Sequence, residues 1–251
     1  IGVRGELTGK YLETLGFAEG RDFMVIGCPS MYMKGKRLHI QNPKLDVNSK
    51  VCFNSNVAAS VPTRKFIKLK MKEFENHYFI GQVVNELRSI YLGAPYEYKI
   101  EYNFRNVTDK IYQDGRLRFF CNVPKWMEFL NDSDLTFGSR LHGNIAAVLA
   151  GTPALLVTKD SRTRELAEYH HLNAIHESKL NEKLTLQDLV EQQDFTQIEK
   201  YQKQNLDRYV AFLKKNDIPN IFMDGEDPQE TAFDRKIKQT DLLEGIVPVS
   251  Q

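Results

Sequence analysis

The sequence predicts an α/β fold built on a doubly wound, mostly parallel sheet. Short runs of strand-forming residues recur along the chain, and most of them are continuously apolar. Parallel strands have this pattern because helices cover both faces of their sheet. Segments with helical spacing lie between the runs, so strands and helices alternate. The predicted strands are residues 23–27, 51–54, 78–81, 117–122, 135–138 and 154–158.

Helices are predicted where apolar residues recur every three or four positions. The last such segment places an amphipathic helix at residues 195–215. The residues that define the helices are Leu7, Tyr11, Leu12 and Leu15; Phe66, Leu69 and Phe74; Val83, Val84, Leu87 and Tyr91; Trp126, Phe129 and Leu130; Ile145, Val148 and Leu149; and Ile198, Tyr201, Tyr209 and Leu213.

The chain has no internal repeat and no interior linker, so residues 1–216 are predicted to form one domain. Residues 217–251 form a mostly polar extension, which we expect to wrap a surface or to be poorly ordered. An aromatic-rich segment at 93–116 would either line a cleft for a sugar or pack as a helix or hairpin, the commoner use of such residues. Its aromatic residues are Tyr96, Tyr98, Tyr102, Phe104 and Tyr112.

The 34 basic and 33 acidic residues nearly cancel, so no overall field favours nucleic acid or an anionic membrane. Any anion must therefore be bound by a local cluster. No apolar run has the length of about 18 to 20 residues that spans a bilayer. The longest, residues 145–157, is interrupted by Gly151, Thr152 and Pro153. We expect no nucleic-acid partner and no membrane span.

Three cysteines, Cys28, Cys52 and Cys121, are far apart and odd in number. This usage favours buried thiols in a reducing, cytoplasmic compartment. The alternative that Cys28 is reactive stays open. The chain opens IGVRGELTG, without an initiator methionine or a signal-like segment, so we interpret it as a fragment whose upstream part is missing.

The stretch DLTFGSRLHGN places an arginine and a histidine where a buried strand turns into a helix. Ser139 is the natural N-cap, and the following backbone N–H groups would attract an anion. Arg140 and His142 would repel each other and the helix terminus unless an anion were present. The structural alternative is that Arg140 pairs with Asp134 or Glu165 and that His142 caps or packs.

The next predicted strand ends in a similar way. Lys159 follows it, Asp160 or Ser161 can cap a helix, and Arg162 and Arg164 fall in the first turn of that helix. Guanidinium groups bind phosphate or carboxylate bidentately. The alternative is a set of solvated arginines paired with Glu165 and Glu168.

Several other kinds of site are not indicated. The sequence has no P-loop, no G-x-G-x-x-G and no G-x-S-x-G motif. The D-x-D at 132–134 is better explained as a helix end. His170, His171 and His176 have no flanking ligands at zinc-like spacing, so we expect no metal.

The run GSRLHGNIAAVLAGTPALLVTKDSRTRELAEY, preceded by VRGELTGKYLETLG and VIGCPS, resembles the polysaccharide pyruvyl transferase family. The resemblance implies a GT-B-like fold of two Rossmann-like halves, with this chain as mainly the C-terminal half and the N-terminal half absent. It further implies transfer of a pyruvyl group from phosphoenolpyruvate to a sugar, which forms a ketal and releases phosphate without a cofactor.

The family's donor-binding residues correspond to Arg140, Leu141 and His142, and to Arg4. The resemblance implies that His142 is the general acid, that Arg140 and Arg4 hold phosphate and carboxylate, and that Leu141 contributes backbone contacts. The implied acceptor is a saccharide or lipid-linked glycan of exopolysaccharide biosynthesis, which would bring a cytoplasmic enzyme to the membrane surface. Ser139, Arg162 and Arg164 complete the predicted binding residues.

Two other functions stay open at this point. A GT-B glycosyltransferase with a nucleotide-sugar donor would need an acidic ribose ligand, for which Glu165 is the only obvious residue. A degenerate relative could bind a glycan or an anion without turnover.

Overall fold

The computed structural model describes residues 1–94, 104, 107–223 and 230–249. The strands are β1 (Gly2–Val3), β2 (Met24–Val25), β3 (Val51–Asn54), β4 (His77–Gly81), β5 (Leu117–Phe119), β6 (Leu135–Gly138), β7 (Ala154–Thr158) and β8 (Ala174–His176). The α-helices are α1 (Glu6–Thr14), α2 (Val61–Met71), α3 (Val84–Leu92), α4 (Lys110–Gln113), α5 (Val123–Asn131), α6 (Leu141–Ala150), α7 (Ser161–His170), α8 (Leu186–Glu191), α9 (Gln197–Lys215) and α10 (Ala232–Lys238). Short 3-10 helices cover Pro29–Tyr32 and Glu177–Lys179.

The chain divides into two compact units, each built from separate stretches of sequence. The first unit consists of Ile1–Ile40, Asp160–Leu172 and Thr196–Leu242, and the second of Gln41–Lys159, Asn173–Phe195 and Leu243–Gln251. Neither unit ends at residue 216, where we predicted the domain to end and the extension to begin.

The second unit contains a six-stranded parallel sheet in the order β5-β4-β3-β6-β7-β8. The chain therefore adds strands outward from β3 in one direction and outward from β6 in the other. Right-handed crossovers place the connecting helices on opposite faces when the direction reverses in this way. The predicted doubly wound fold class is thus confirmed, and the reversal occurs between β3 and β6, where Asn54 lies opposite Gly138.

The central strands β3, β6 and β7 are buried at every residue. Phe53 and Phe137, which are neighbours in register, pack edge-to-face with ring centroids 6.2 Å apart. Helix α6 packs against α5 and β7 and buries eight of its ten residues. A helix that is apolar on all sides suits this central place.

The first unit contains a small parallel sheet of β1 and β2. Val3 and Val25 from this sheet form an apolar cluster with Phe23, and Leu12 and Tyr169 pack against it. The strand predicted at 23–27 is therefore a strand of this two-stranded sheet and not of the large one.

One residue of the C-terminal segment pairs with the large sheet. Ile246 pairs with Phe119 at the edge strand β5, in an antiparallel bridge. In the aromatic segment, Phe104 is buried and packs edge-to-face on Phe79, with ring centroids 5.6 Å apart, and Tyr112 is also buried. Phe104 and Tyr112 therefore pack in the interior of the protein. Tyr96, Tyr98 and Tyr102 lie outside the described residues.

A search of the described helices for one both long and apolar enough to cross a bilayer found none.

Candidate functional site

The carboxyl ends of β3 and β6 meet where the strand order reverses, which is where doubly wound sheets bind ligands. The two strand ends are in very close contact here. A Cβ on Gly138 would collide with the backbone carbonyl of Asn54, so this position requires glycine. The side-chain oxygen of Asn54 accepts a hydrogen bond from the Arg140 backbone N–H at 2.8 Å. The start of α6 is thereby tied to the end of β3.

Helix α6 begins at Leu141, as predicted, but its N-cap is Arg140 and not Ser139. The Ser139 hydroxyl instead accepts a hydrogen bond from the Asn56 backbone N–H at 2.8 Å, because the loop after β3 lies beside it. Asn144 donates from its side-chain amide to the carbonyls of Arg140 (2.8 Å) and Gly138 (3.2 Å). Side chains from two strand ends thus hold this helix terminus in place.

The Arg140 guanidinium donates to acceptors that follow two neighbouring strands, β3 and β4. Its Nε donates to the Ser55 carbonyl at 2.9 Å, and its Nη2 donates to Glu86 Oε1 at 2.7 Å. The Arg140 side chain is 14% exposed and that of Glu86 is 0% exposed. The structural alternative named Asp134 or Glu165 as the partner of Arg140, but the carboxylate that pairs with it is Glu86. Asp134 instead accepts from the Lys50 backbone N–H at 2.7 Å.

His142 neither caps nor packs, contrary to the structural alternative. Its side chain is exposed and makes no hydrogen bond or ion pair within the described part of the chain. Leu141, by contrast, is buried. The structure therefore brings together Ser139, Arg140, Leu141 and His142 in the second unit, with the imidazole accessible to a ligand.

Arg162 and Arg164 belong to the first unit and lie in exposed surface ion pairs. Asp160 caps α7 as predicted, accepting from the Thr163 N–H at 2.7 Å. Arg162 lies 3.9 Å from the Asp160 carboxylate and Arg164 lies 3.7 Å from that of Glu168, and both arginines are about half exposed. The Arg164–Glu168 pair matches the solvated alternative, whereas Arg162 pairs with Asp160 and not with Glu165. Exposed ion pairs of this kind ordinarily contribute little to stability.

Arg4 also belongs to the first unit, next to the start of α1. It lies 3.9 Å from Glu165, too far for a hydrogen bond, and its side chain is 47% exposed. The buried Glu165 carboxylate instead accepts from the Thr8 backbone N–H at 2.9 Å and from the Thr8 hydroxyl at 2.7 Å. A carboxylate of the chain thus occupies the anion position at this helix terminus.

His170 is the buried histidine of the first unit. Its Nε2 accepts from the Cys28 backbone N–H at 2.8 Å. Burial, with a smaller contribution from the neighbouring His171, lowers the pKa of His170 to about 3, so the imidazole is neutral near pH 7. Burial raises the pKa of the Cys52 thiol to about 11, which makes that thiol unreactive.

Sequence reasoning missed three residues of the second-unit site: Asn54, Glu86 and Asn144. Asn54 carries a readable signal, because it is a polar residue that ends a continuously apolar strand. Glu86 reads as an ordinary acidic residue in the first turn of a helix. Nothing local indicates that it pairs with an arginine 54 positions later.

Comparisons with known proteins identify the family of this chain. One solved structure, described as the glycotransferase of kitacinnamycin, is similar with a TM-score of 0.42 and 11% sequence identity. The match covers 80% of this chain and 51% of that one, so the chain spans about half the length of that protein. A search of curated proteins found no match. A family model described as polysaccharide pyruvyl transferase matches residues 1–161, well over half of the 251 residues, and the chain therefore belongs to the polysaccharide pyruvyl transferase family.

Proposed function

We propose that the complete protein transfers a pyruvyl group from phosphoenolpyruvate to a sugar of a cell-surface polysaccharide or exopolysaccharide, forming a ketal and releasing phosphate. One observation carries the proposal beyond family membership. Arg140 is held by the Ser55 carbonyl and the Glu86 carboxylate at the strand-order reversal, and the exposed His142 lies two residues further along. Such a site offers an oriented guanidinium, a helix N-terminus and an exposed imidazole to one ligand.

The donor suits this chemistry because it carries both a phosphate and a carboxylate. The N-terminus of the ten-residue helix α6 favours a negative group, and a guanidinium binds either anion bidentately. Arg140 would thereby stabilise the charge that develops on the leaving phosphate. Leu141 would contribute backbone contacts, and Arg4 remains a proposed donor residue on the family resemblance. No cofactor is required by the balance of the reaction.

In the proposed reaction, His142 protonates the methylene carbon of phosphoenolpyruvate, which becomes the methyl group. A sugar hydroxyl adds to the cationic C2 and loses its proton to the now neutral imidazole. A second hydroxyl then replaces phosphate at C2, so two C–O bonds form and one C–O bond to phosphate breaks. One proton from the diol ends on the methyl group and the other leaves with phosphate or solvent.

The test is phosphate release from phosphoenolpyruvate by the complete protein in the presence of acceptor glycans. We expect His142→Ala to lower the rate by about 100-fold or more, as loss of a general acid does. Thermal unfolding should be unchanged, because the side chain is exposed and makes no hydrogen bond in the described chain. His39→Ala is the matched control, since His39 is also exposed and lies in the first unit. An unchanged rate for His142→Ala would refute the general-acid role.

Calorimetric titration separates the donor classes. Binding of phosphoenolpyruvate with no response to UDP- or GDP-sugars is the expected result, and the reverse would favour the glycosyltransferase alternative. Glu165 is a poor ribose ligand in either case, because it is buried and both of its oxygens accept from Thr8. Binding of phosphoenolpyruvate without turnover by the complete protein would favour a non-catalytic relative.

The proposed location is the cytoplasm, where a lipid-linked acceptor would bring the enzyme to the membrane surface. Fractionation of cells with and without that acceptor would test this proposal. An enzyme recovered equally in the soluble fraction under both conditions would contradict membrane recruitment.

A further inference from the structure

Glu86 is the most completely buried charged side chain at the strand-order reversal. It lies in the first turn of α3, immediately after β4, and its side chain is 0% exposed. Gly81 at the end of β4 makes this placement possible. A Cβ there would come within 3.0 Å of the Glu86 Cβ and 2.9 Å of the Ile90 side chain. The first turn of α3 is thus pressed against the end of β4.

The two oxygens of the Glu86 carboxylate have different partners. Oε2 accepts from the backbone N–H groups of Gln82 and Val83, the latter at 3.1 Å, and so caps its own helix. Oε1 accepts from Arg140 Nη2 at 2.7 Å. An amide in place of the carboxylate would have one acceptor oxygen and one donor nitrogen. Its NH2 group would then point at an N–H donor, either that of Arg140 or those of Gln82 and Val83.

Helix capping alone does not require a buried charge. Burying a carboxylate is costly unless it is paired and hydrogen-bonded, and an exposed residue could cap α3 without that cost. The second partner of Arg140, the Ser55 carbonyl, approaches Nε from the loop after β3. These acceptors, one in the loop after β3 and one in the first turn of α3, fix the plane of the guanidinium and not only its position.

We propose that Glu86 is a positioning residue for donor binding, which sets the plane of the Arg140 guanidinium so that the fork faces the donor anion. The inference rests on the proposed function and adds to it a residue from a different strand end. Glu86 touches no reacting atom; it acts through Arg140. Orientation matters only to a planar group, so a lysine ammonium at position 140 would gain little from Glu86.

The experiment is a double-mutant cycle on the complete protein, with the Kd for phosphoenolpyruvate measured by calorimetry. We expect Glu86→Gln to weaken binding at least about tenfold in the wild-type background and less than about threefold in an Arg140→Lys background. A general structural role would weaken binding equally in both backgrounds, and that result would overturn the proposal. Glu128→Gln is the matched control, because Glu128 is exposed in the same unit.

A second variant covers the case in which Glu86→Gln does not fold. Glu86→Asp keeps the charge and both acceptor oxygens but shortens the reach to Arg140, so its Kd should rise with kcat changing less. An unchanged Kd for a folded variant would refute the positioning role while leaving the proposed function intact. A wild-type protein that binds inorganic phosphate but not phosphoenolpyruvate would refute the proposed donor, and the same cycle with phosphate as probe would then decide the role of Glu86.

Discussion

Each unit of the molecule contains an arginine beside a buried glutamate, but the two pairs are built differently. In the second unit, Glu86 hydrogen-bonds directly to Arg140, and the guanidinium is 14% exposed. In the first unit, the Glu165 carboxylate accepts hydrogen bonds from Thr8. Arg4 lies 3.9 Å from that carboxylate, and 47% of its side chain is exposed. Both carboxylates accept from backbone N–H groups at a helix start, but only Glu86 also hydrogen-bonds its neighbouring arginine. The partner of the carboxylate, and not the residue types, determines which role it has.

His142 of the second unit and His170 of the first differ in exposure, in the opposite sense to the two arginines. His142 in the second unit is exposed and makes no hydrogen bond within the described residues. His170 in the first unit is buried and accepts from the Cys28 backbone N–H. The second unit therefore combines a fixed arginine with an accessible imidazole, while the first combines an accessible arginine with a fixed imidazole. Catalytic proton transfer needs an accessible imidazole, and of these two histidines only His142 provides one.

Removing the charge of each glutamate should separate the two roles most strongly. We expect Glu86→Gln to lower the free energy of unfolding by about 3 kcal/mol, because it breaks the buried ion pair between Glu86 and Arg140. Glu165→Gln should cost about 1 kcal/mol, since an amide oxygen can still accept from Thr8. Urea denaturation of both variants measures the difference. Equal losses would show that the two carboxylates are equivalent.

Replacing each arginine by lysine tests the same contrast in activity. We expect Arg140→Lys to lower kcat/KM by about 100-fold, comparable to the loss of one oriented transition-state donor. Arg4→Lys should cost no more than about tenfold, because a side chain without a fixed plane loses less when the fork is replaced by an ammonium. Phosphate release at varied phosphoenolpyruvate concentration gives both values. A larger loss for Arg4→Lys would reverse the assignment of the oriented arginine.

Acidification should destabilise the first unit through His170. Its pKa is about 3 in the folded chain against an ordinary value of 6.5, so the unfolded chain binds the proton first as the pH falls. The stability due to the neutral imidazole is complete above pH 6.5 and is lost as the pH falls toward 3. Between about pH 6.5 and 5 the loss is about 1.5 to 2 kcal/mol.

Denaturation at the two pH values checks this loss. His170→Gln keeps an acceptor for the Cys28 N–H but cannot titrate, so its stability should change less over this interval. A wild-type protein with no loss of stability between these pH values would contradict the buried, neutral state of His170.

Burial determined how much of the fold was predictable. Strands β3, β6 and β7 matched their predicted residues, because strands covered on both faces are continuously apolar. Strands β1 and β8 were missed, since they have two and three residues and are only partly buried. Composition cannot separate such short strands from loops.

The site was predictable only as far as its contacts are local. The start of α6 follows from neighbouring residues. The Arg140–Glu86 pair, by contrast, depends on the strand order β4-β3-β6, which brings residues that follow β4 and β6 close together. The strand order is a property of the whole fold. Ser139 fits the residue preferences of an N-cap. Its hydroxyl instead accepts a hydrogen bond from the Asn56 N–H, and these two residues are 83 positions apart in the sequence.

The smallest expected difference in stability concerns the hydroxyl groups of Thr8, near Arg4, and of Ser139, next to Arg140. Thr8→Val removes the 2.7 Å hydrogen bond to Glu165 and keeps the shape of the side chain, which should cost about 1 kcal/mol. Ser139→Ala removes the acceptor of the Asn56 N–H in a half-buried loop and should cost about 0.5 kcal/mol. Thr8→Val should leave the Kd for phosphoenolpyruvate unchanged, because the Glu165 carboxylate does not orient Arg4. Calorimetry of this variant decides the point: weaker donor binding would mean that the cap on α1 also fixes Arg4, and the contrast between the two glutamates would then be one of degree.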